Sequence, residues 1–178
     1  MRLSADIISQ SEQRSNPLGE RELVLRGLAI PAIEHLGATR DLFDTIDFAD
    51  NRITRLENFP RLLRLNSLLL SGNSIESIDV KNIKSNIPNI TNLALTDNRI
   101  SGLHEIGNLG DACPKLEFLT LTGNPVTSEL LLKHDMIRFG TFIRLLISRT
   151  CLNLICAERI NLHLVVSLQY FNPNFYSA

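Results

Sequence analysis

The residues of this chain that could carry out chemistry are few and lie far apart. Its four histidines have no neighbours at a metal-binding or catalytic spacing, and they are His35, His104, His134 and His163. The sequence contains no H-E-x-x-H pair, no glycine-rich phosphate loop and no G-x-S-x-G turn for a nucleophilic serine. These features predict a protein that is not an enzyme.

Four aspartates at every third position suggest a cation site at first sight, and they are Asp41, Asp44, Asp47 and Asp50. A calcium loop needs oxygen ligands at alternate positions, a central glycine and a terminal glutamate, and this stretch lacks that pattern. We expect Asp47 to project from a strand and the other three to lie in flanking turns. The sequence therefore predicts a solvated acidic edge, with neither a metal nor a cofactor.

The three cysteines are Cys113, Cys151 and Cys156, an odd number without paired short spacings. This arrangement indicates neither a disulfide framework nor a zinc site, and it favours a reducing, intracellular compartment. No apolar run is long enough for a membrane span, and residues 1–10 lack the apolar stretch of a signal peptide. We expect no association with a membrane.

The elements that position the functional residues follow from a repeated aliphatic pattern. Asparagines recur 22, 25 and 26 residues apart, at Asn51, Asn73, Asn98 and Asn124. They share the frame L-x-x-L-x-L-x-x-N-x-L-x-x-L, where L is any apolar residue, and a degenerate earlier copy has Leu28 in place of asparagine. This is the leucine-rich repeat signature. It predicts an α/β solenoid with a short-stranded parallel sheet on its concave side and a helical or irregular convex side.

The repeated asparagines have a structural role in this prediction. Each follows a strand, where the chain turns inward and leaves backbone groups that need partners. A side-chain amide offers two donors and one acceptor, so it can satisfy several of these groups at once. We expect the four asparagines to form a ladder along the stacked repeats.

Two regions divide the chain. Residues 1–127 form the predicted leucine-rich repeat domain, and residues 3–15 are expected to form a helix that covers its open apolar end, capped by Ser4. In residues 128–178, 28 of 51 residues are apolar and the asparagine frame is absent. This tail is either a helical C-terminal cap or a variant end, such as read-through of unspliced sequence, without an evolved packing partner.

The concave face of a solenoid is its usual binding surface. The outward strand positions predicted to line it are Val24, Arg26, Asp47, Ala49, Leu69, Ser71, Ala94, Thr96, Thr120 and Thr122. Most of these side chains are small and neutral, with charges at one end and Leu69 as an apolar knob. Such a surface suits a partner helix laid across it, although the same residues could simply be solvated.

Charge limits the kind of partner. Residues 1–127 contain 13 Lys and Arg against 16 Asp and Glu, a net charge of −3, and residues 128–178 contain 5 against 3, a net charge of +2. Proteins that bind nucleic acid alone are normally basic, because phosphate neutralisation supplies most of the affinity. We therefore expect any RNA binding to be shared with a partner.

Four stretches are more specific than the repeat frame, namely residues 21–27, 30–39, 43–51 and 121–127. From about residue 2 to 127, the chain resembles the A-prime proteins of the U2 small nuclear ribonucleoprotein. After Thr127 that family continues with a basic, tyrosine-containing capping segment, whereas this chain reads Ser-Glu-Leu-Leu-Leu-Lys-His-Asp.

The resemblance implies a nuclear spliceosomal scaffold. Its concave face would bind the RNA-recognition domain of a B-double-prime protein, and the pair would bind U2 small nuclear RNA in pre-mRNA splicing. The residues carried over to that surface are Arg26, Asp47, Leu69, Ser71, Ala94 and Thr96. The alternative is a generic intracellular leucine-rich repeat adaptor or enzyme regulator.

Overall fold

A six-stranded sheet organises residues 1–127, which are the residues that the computed structural model describes. In spatial order its strands are β1 (Gln13–Ser15), β2 (Arg21–Val24), β3 (Thr45–Asp47), β5 (Ser67–Leu69), β7 (Asn92–Ala94) and β8 (Phe118–Thr120). The β1–β2 pair is antiparallel and the other pairs are parallel. One strand per repeat, each placed beside the last, confirms the predicted fold class. The predictions for residues 128–178 lie outside the described residues.

The convex side is built from short elements. A 3₁₀ helix spans Leu36–Thr39, α2 spans Val80–Asn86 and α3 spans Leu103–Ala112. Between the two sides, β4 (Arg55–Leu56) and β6 (Ser77–Ile78) form a second, two-stranded parallel sheet.

The core lies between the large sheet and the convex elements. In each strand the central residue faces inward, and the register aligns a row of buried side chains, which are Leu23, Ile46, Leu68, Leu93 and Leu119. Period-two alternation places their neighbours on the opposite face of the sheet. One apolar row per repeat thus makes a continuous core that no single repeat could form.

The N-terminal cap differs from its prediction in length. Helix α1 spans Ala5–Gln10, and the Ser4 hydroxyl accepts a hydrogen bond from the Ile7 N–H at 3.3 Å, as expected of a cap. Leu3 and Ile8 are buried against the first repeat. The helix does not continue to residue 15, because residues 12–15 are polar and offer no apolar face. Residues 13–15 form β1 instead, which covers one otherwise free edge of the sheet.

The asparagine ladder is present and buried. Asn98 shows the pattern: its Oδ1 accepts from the Ile75 N–H of the preceding repeat at 3.0 Å. Its Nδ2 donates to the carbonyls of Leu70, Leu95 and Thr96 at 2.9, 3.1 and 3.2 Å. Asn51, Asn73 and Asn124 make corresponding bonds. The ladder joins neighbouring repeats and satisfies backbone groups that are closed off from water.

Glycine and aspartate alternate just beyond the strand ends. All five residues at this position have positive φ, and they are Gly27, Asp50, Gly72, Asp97 and Gly123. A Cβ atom on Gly72 would lie 2.5 Å from the Asp50 carboxylate oxygen, and one on Gly123 would collide with the Asp97 carboxylate. Each aspartate side chain therefore occupies space that exists only because the next repeat has glycine there.

Candidate protein-binding face

The sheet face turned away from the core carries three rows of side chains, and the stacking of the repeats makes this face concave. The first row consists of Glu22, Thr45, Ser67, Asn92 and Phe118. The second row consists of Val24, Asp47, Leu69, Ala94 and Thr120. The third row consists of Arg26, Ala49, Ser71, Thr96 and Thr122, aligned by the backbone hydrogen bonds that continue each strand. We call these fifteen residues the concave face.

All ten residues predicted from the sequence lie in the second and third rows. The first row was missed, although the same alternation extended two residues towards the N-terminus would have found it. Arg14 was missed as well, because it stands on β1 in a segment predicted to be helical. The pairing of Arg14 with Glu22 across β1 and β2 brings it to the same face.

Charges occupy only the end of the concave face formed by β1, β2 and β3. The Arg26 guanidinium donates to the Asp47 carboxylate at 3.0 Å and lies 3.5 Å from that of Asp50. The second Asp47 oxygen accepts from the Ala49 N–H at 2.9 Å. Arg26 is thereby held in one orientation above the sheet, with about half of its side chain still exposed.

A second arginine is held in the same manner. Arg14 donates two hydrogen bonds, at 2.9 and 3.2 Å, to the buried Glu22 carboxylate. These bonds to Glu22 raise the pKa of the Arg14 guanidinium above its ordinary value. Two arginines, each anchored on a buried carboxylate, thus stand at this end of the face with about half of each side chain exposed.

The predicted solvated acidic edge is wrong for two of its four aspartates. Asp47 is only 3% exposed, because Arg26 covers it, and the adjacent Ala49 is 1% exposed. Asp44 accepts two hydrogen bonds from Arg64, at 2.8 and 3.2 Å, and one from the Arg21 N–H. The bonds from Arg64 lower the pKa of Asp44. Arginines from neighbouring repeats form ion pairs with both acids. The spacing of residues within one repeat does not reveal these pairs.

The other end of the concave face, on β5, β7 and β8, is neutral. Leu69 is partly exposed, and Phe118 is the most exposed aromatic residue in the described region, at 51%. The Thr96 hydroxyl donates to that of Thr120 at 3.2 Å, and Asn92 donates to the Ser67 hydroxyl at 3.0 Å. The concave face therefore combines a charged end with an end of short polar side chains and two apolar anchors.

A partly buried polar network supports the first row where the strands begin. The Glu20 carboxylate accepts hydrogen bonds from Asn16, Thr45 and Asn66, at 2.8, 2.9 and 3.0 Å. These bonds, with that of Asn16 the strongest, lower the pKa of Glu20. The network joins the turn before β2 to the strand starts of the next two repeats.

The polar groups of the described region are held in fixed contacts. Within residues 1–127 no group of three or more His, Cys, Asp or Glu side chains could hold a metal ion. The acids on the concave face are already bound to arginines or backbone N–H groups. None of the helices in the described region is both long and apolar enough to cross a membrane. The concave face is thus a surface with a charged end and a separate neutral end.

Comparisons with known proteins agree with this architecture. A leucine-rich repeat family model matches residues 1–151. The chain is 47% identical over 129 residues to the U2 small nuclear ribonucleoprotein A' of Arabidopsis thaliana and 42% identical to that of Homo sapiens. In each comparison these residues are 72% of this chain, and they are 51% and 50% of the two relatives. The chain thus spans about half the length of the curated relatives it matches.

A solved structure gives the same result in three dimensions. The match is to the crystal structure of the Drosophila melanogaster SNF/U2A' complex, with a TM-score of 0.69 and 44% sequence identity, and it covers 72% of each chain. The resemblance to the A-prime proteins found from the sequence is therefore confirmed. On its repeats, its asparagine ladder and the matching family model, the chain belongs to the leucine-rich repeat family.

Proposed function

We propose that this chain is a component of the U2 small nuclear ribonucleoprotein that acts in the nucleus as a scaffold in pre-mRNA splicing. Its concave face binds the RNA-recognition domain of a B-double-prime protein. The pair then binds U2 small nuclear RNA, with the partner supplying the base readout. The observation that carries the proposal is the concave face itself, on a chain similar to U2A' over 72% of its length.

The distribution of side chains on the concave face supports a helix as the bound element. Ala94, Thr96 and Thr120 are short, so a helix can approach the sheet closely over β7 and β8. Leu69, on the neighbouring strand β5, and Phe118, at the start of β8, border that shallow region and can contact the helix's apolar side. Their burial would supply most of the binding free energy, since a few apolar or aromatic anchors normally dominate an interface.

The charged end supports a defined orientation. Arg14 and Arg26 are each fixed by a buried carboxylate, so their remaining donors are positioned before the partner arrives. Preorganised charges on one side of an interface favour one direction of binding over the reverse. A bound helix would place its carbonyl-rich C-terminal end or an acidic side chain near these arginines.

Electrostatics supports an indirect RNA role. Residues 1–127 carry a net charge of −3, and several of their arginines are already paired with carboxylates. A protein of this charge gains little from the counterion release that drives RNA binding. RNA affinity would therefore come mainly from the partner.

A pull-down from nuclear extract with the full chain as bait tests this function. We expect recovery of an RNA-recognition-domain protein together with U2 small nuclear RNA. After ribonuclease treatment the protein should remain bound while the RNA is lost, because the protein contact is the direct one. Recovery of neither would refute the proposal, and recovery of a different partner, such as an enzyme, would favour a generic adaptor or regulator.

Two matched substitutions test the face. Leu69→Glu places a charge at the apolar part of the concave face and should weaken partner capture at least about tenfold, because a charge desolvated without a counterion is costly. Leu63→Glu makes the same chemical change at an exposed leucine outside the three rows and should leave capture unchanged. Equal capture by both variants, at equal thermal stability, would rule out the concave face as the binding site.

A further inference from the structure

A second surface lies where the strands begin, and neither the repeat core nor the concave face uses it. Three exposed leucines mark it in the loops that lead into β2, β3 and β5: Leu18 is 79% exposed, and Leu42 and Leu63 are 42% exposed each. Two arginines, Arg40 and Arg61, precede Leu42 and Leu63 by two residues and are also exposed. We call these five residues the strand-start edge.

The loops that carry these residues are joined to one another by side-chain hydrogen bonds. The Asp41 carboxylate accepts from the Arg64 N–H at 2.9 Å, which ties the loop before β3 to the loop before β5. The Asn89 amide donates to the Leu63 carbonyl at 2.7 Å and accepts from the Lys115 ammonium at 2.7 Å. The loops that carry Leu42 and Leu63 are therefore tied to their neighbours, so less conformational entropy is lost when something binds to them.

Two exposed arginines supply positive charge along this edge. Of the neighbouring acids, Asp44 is paired with Arg64, whereas Glu20 and Asp41 keep their negative charge and accept hydrogen bonds from amide, hydroxyl and backbone N–H groups. Arg40 and Arg61, by contrast, form no ion pair within residues 1–127. The strand-start edge thus combines exposed aliphatic side chains with free guanidinium groups on a chain whose net charge is −1.

We propose that the strand-start edge is a second protein-docking surface, which binds an acidic, leucine-containing segment of a partner. Apolar side chains of that segment contact the three leucines, and its carboxylates bind Arg40 and Arg61 through charge-assisted hydrogen bonds. Nucleic acid fits less well, because single strands are held by stacking on aromatic side chains, and leucine offers no such surface. The edge is separate from the concave face, so the two surfaces could be occupied together.

The dimensions fit a short segment. Adjacent strands lie about 4.8 Å apart, so the loops before β2, β3 and β5 span roughly 10 Å. An extended peptide covers that distance in about three residues at roughly 3.3 Å each. Leucines three residues apart, with acids between them, would meet both the outer leucines and the arginines.

Fluorescence polarisation with a defined probe tests this proposal on the full chain. The probe is a fluorescein-labelled peptide of sequence Asp-Glu-Leu-Asp-Glu-Leu-Asp-Glu, and the control peptide has serine at both leucine positions. We expect saturable binding of the probe and at least about tenfold weaker binding of the control peptide. Competition by a 12-base-pair RNA duplex that displaces both peptides equally would contradict a protein-docking surface.

Substitutions locate the binding and separate it from simple charge attraction. The double change Leu42→Ser with Leu63→Ser should weaken probe binding about tenfold, and Arg40→Glu with Arg61→Glu should abolish it. Arg52→Glu makes the same charge change at an exposed arginine beyond the strand ends and should leave binding unchanged. All these side chains are exposed, so melting temperatures should stay close to that of the parent chain. Loss of binding in Arg52→Glu, or full binding in the serine variant, would overturn the proposal.

The same variants keep this inference distinct from the proposed function. Capture of the RNA-recognition partner should survive the serine and glutamate changes at the strand-start edge, while Leu69→Glu should leave probe binding intact. If instead the edge variants also release that partner, the strand-start edge belongs to the same interface, and the inference of a second surface fails.

Discussion

Replacing Asn98 with alanine removes one rung of the asparagine ladder and has a cost that can be worked out from its bonds. The Ile75 N–H loses its bond to Asn98 Oδ1, and Ile75 is fully buried, so this donor is left without a partner. A buried unsatisfied donor costs about 1–3 kcal/mol. The loss of this one bond therefore lowers the free energy of unfolding by that amount, before any other contact is considered.

Losing the Nδ2 group of Asn98 as a donor lowers the free energy of unfolding by a smaller amount. The Leu70 carbonyl keeps a bond from Asn73 at 3.0 Å, the Leu95 carbonyl keeps one from Asn124 at 2.7 Å, and the Thr96 carbonyl keeps the Gly72 N–H at 2.9 Å. Each carbonyl thus loses a second bond but not its only one, for a further loss of about 1 kcal/mol in total. We expect Asn98→Ala to lower the free energy of unfolding by about 3 kcal/mol, or the melting temperature by roughly 10 °C.

Chemical denaturation of the full chain, followed by far-ultraviolet circular dichroism, measures this loss. The matched control is Asn108→Ala, an exposed asparagine on the convex helix α3 that should change stability by less than about 0.5 kcal/mol. A loss for Asn98→Ala no larger than that of the control would refute the reasoning, because it would show that the Ile75 N–H finds water or another acceptor.

Three further predictions concern single residues. Gly72→Ala should lower the free energy of unfolding by about 1–3 kcal/mol in denaturant titrations, because the φ of Gly72 is +70° and the new Cβ would lie 2.5 Å from the Asp50 carboxylate oxygen. The control is Gly37→Ala, where a Cβ meets nothing, and it should leave the stability unchanged. The hydrogen bonds from Arg64 lower the pKa of Asp44, so the carboxylate stabilises the fold above its ordinary pKa of 3.8 and loses this effect as the pH falls towards the lower folded-state value. Asp44→Asn should therefore flatten stability–pH profiles in that range, and an unchanged profile would contradict this. Burial raises the pKa of the Cys113 thiol to about 12, so iodoacetamide at pH 8 should spare it in the folded protein and label it after denaturation, as read by peptide mass spectrometry.

Much of the fold was predictable from the sequence because its units are local. The frame around Asn51, Asn73 and their equivalents fixes which residues face inward, and parallel stacking then follows from the need to bury each apolar stripe. The N-terminal helix was predicted at the right place with the right cap, Ser4. The predicted C-terminal end of this helix was wrong, because residues 13–15 gain more from pairing with β2 than from another helical turn. The local sequence does not show that one edge of β2 needs a partner strand.

The candidate site was predictable only in part. The ten residues assigned to the second and third rows do lie on the concave face, since alternation along a strand is a local property. Their roles as binding residues stay a prediction. The contribution of Arg14 could not be predicted, because it depends on an antiparallel pair between two short segments. The strand-start edge was equally hidden, since its leucines stand on three separate loops and their exposure depends on the fold.

Residue spacing alone specifies the repeat, the direction in which each strand residue faces and the position of the asparagine ladder. These properties depend on spacing within about 25 residues of chain, which recurs and can be read directly. The tertiary structure decided which of the outward residues are available to a partner. Asp47 and Asp44 were expected to be solvated, yet Arg26 and Arg64, about 20 residues away from them in the chain, bind and cover them. Such ion pairs depend on how one repeat packs against the next, and the spacing of charged residues within a single repeat does not predict them.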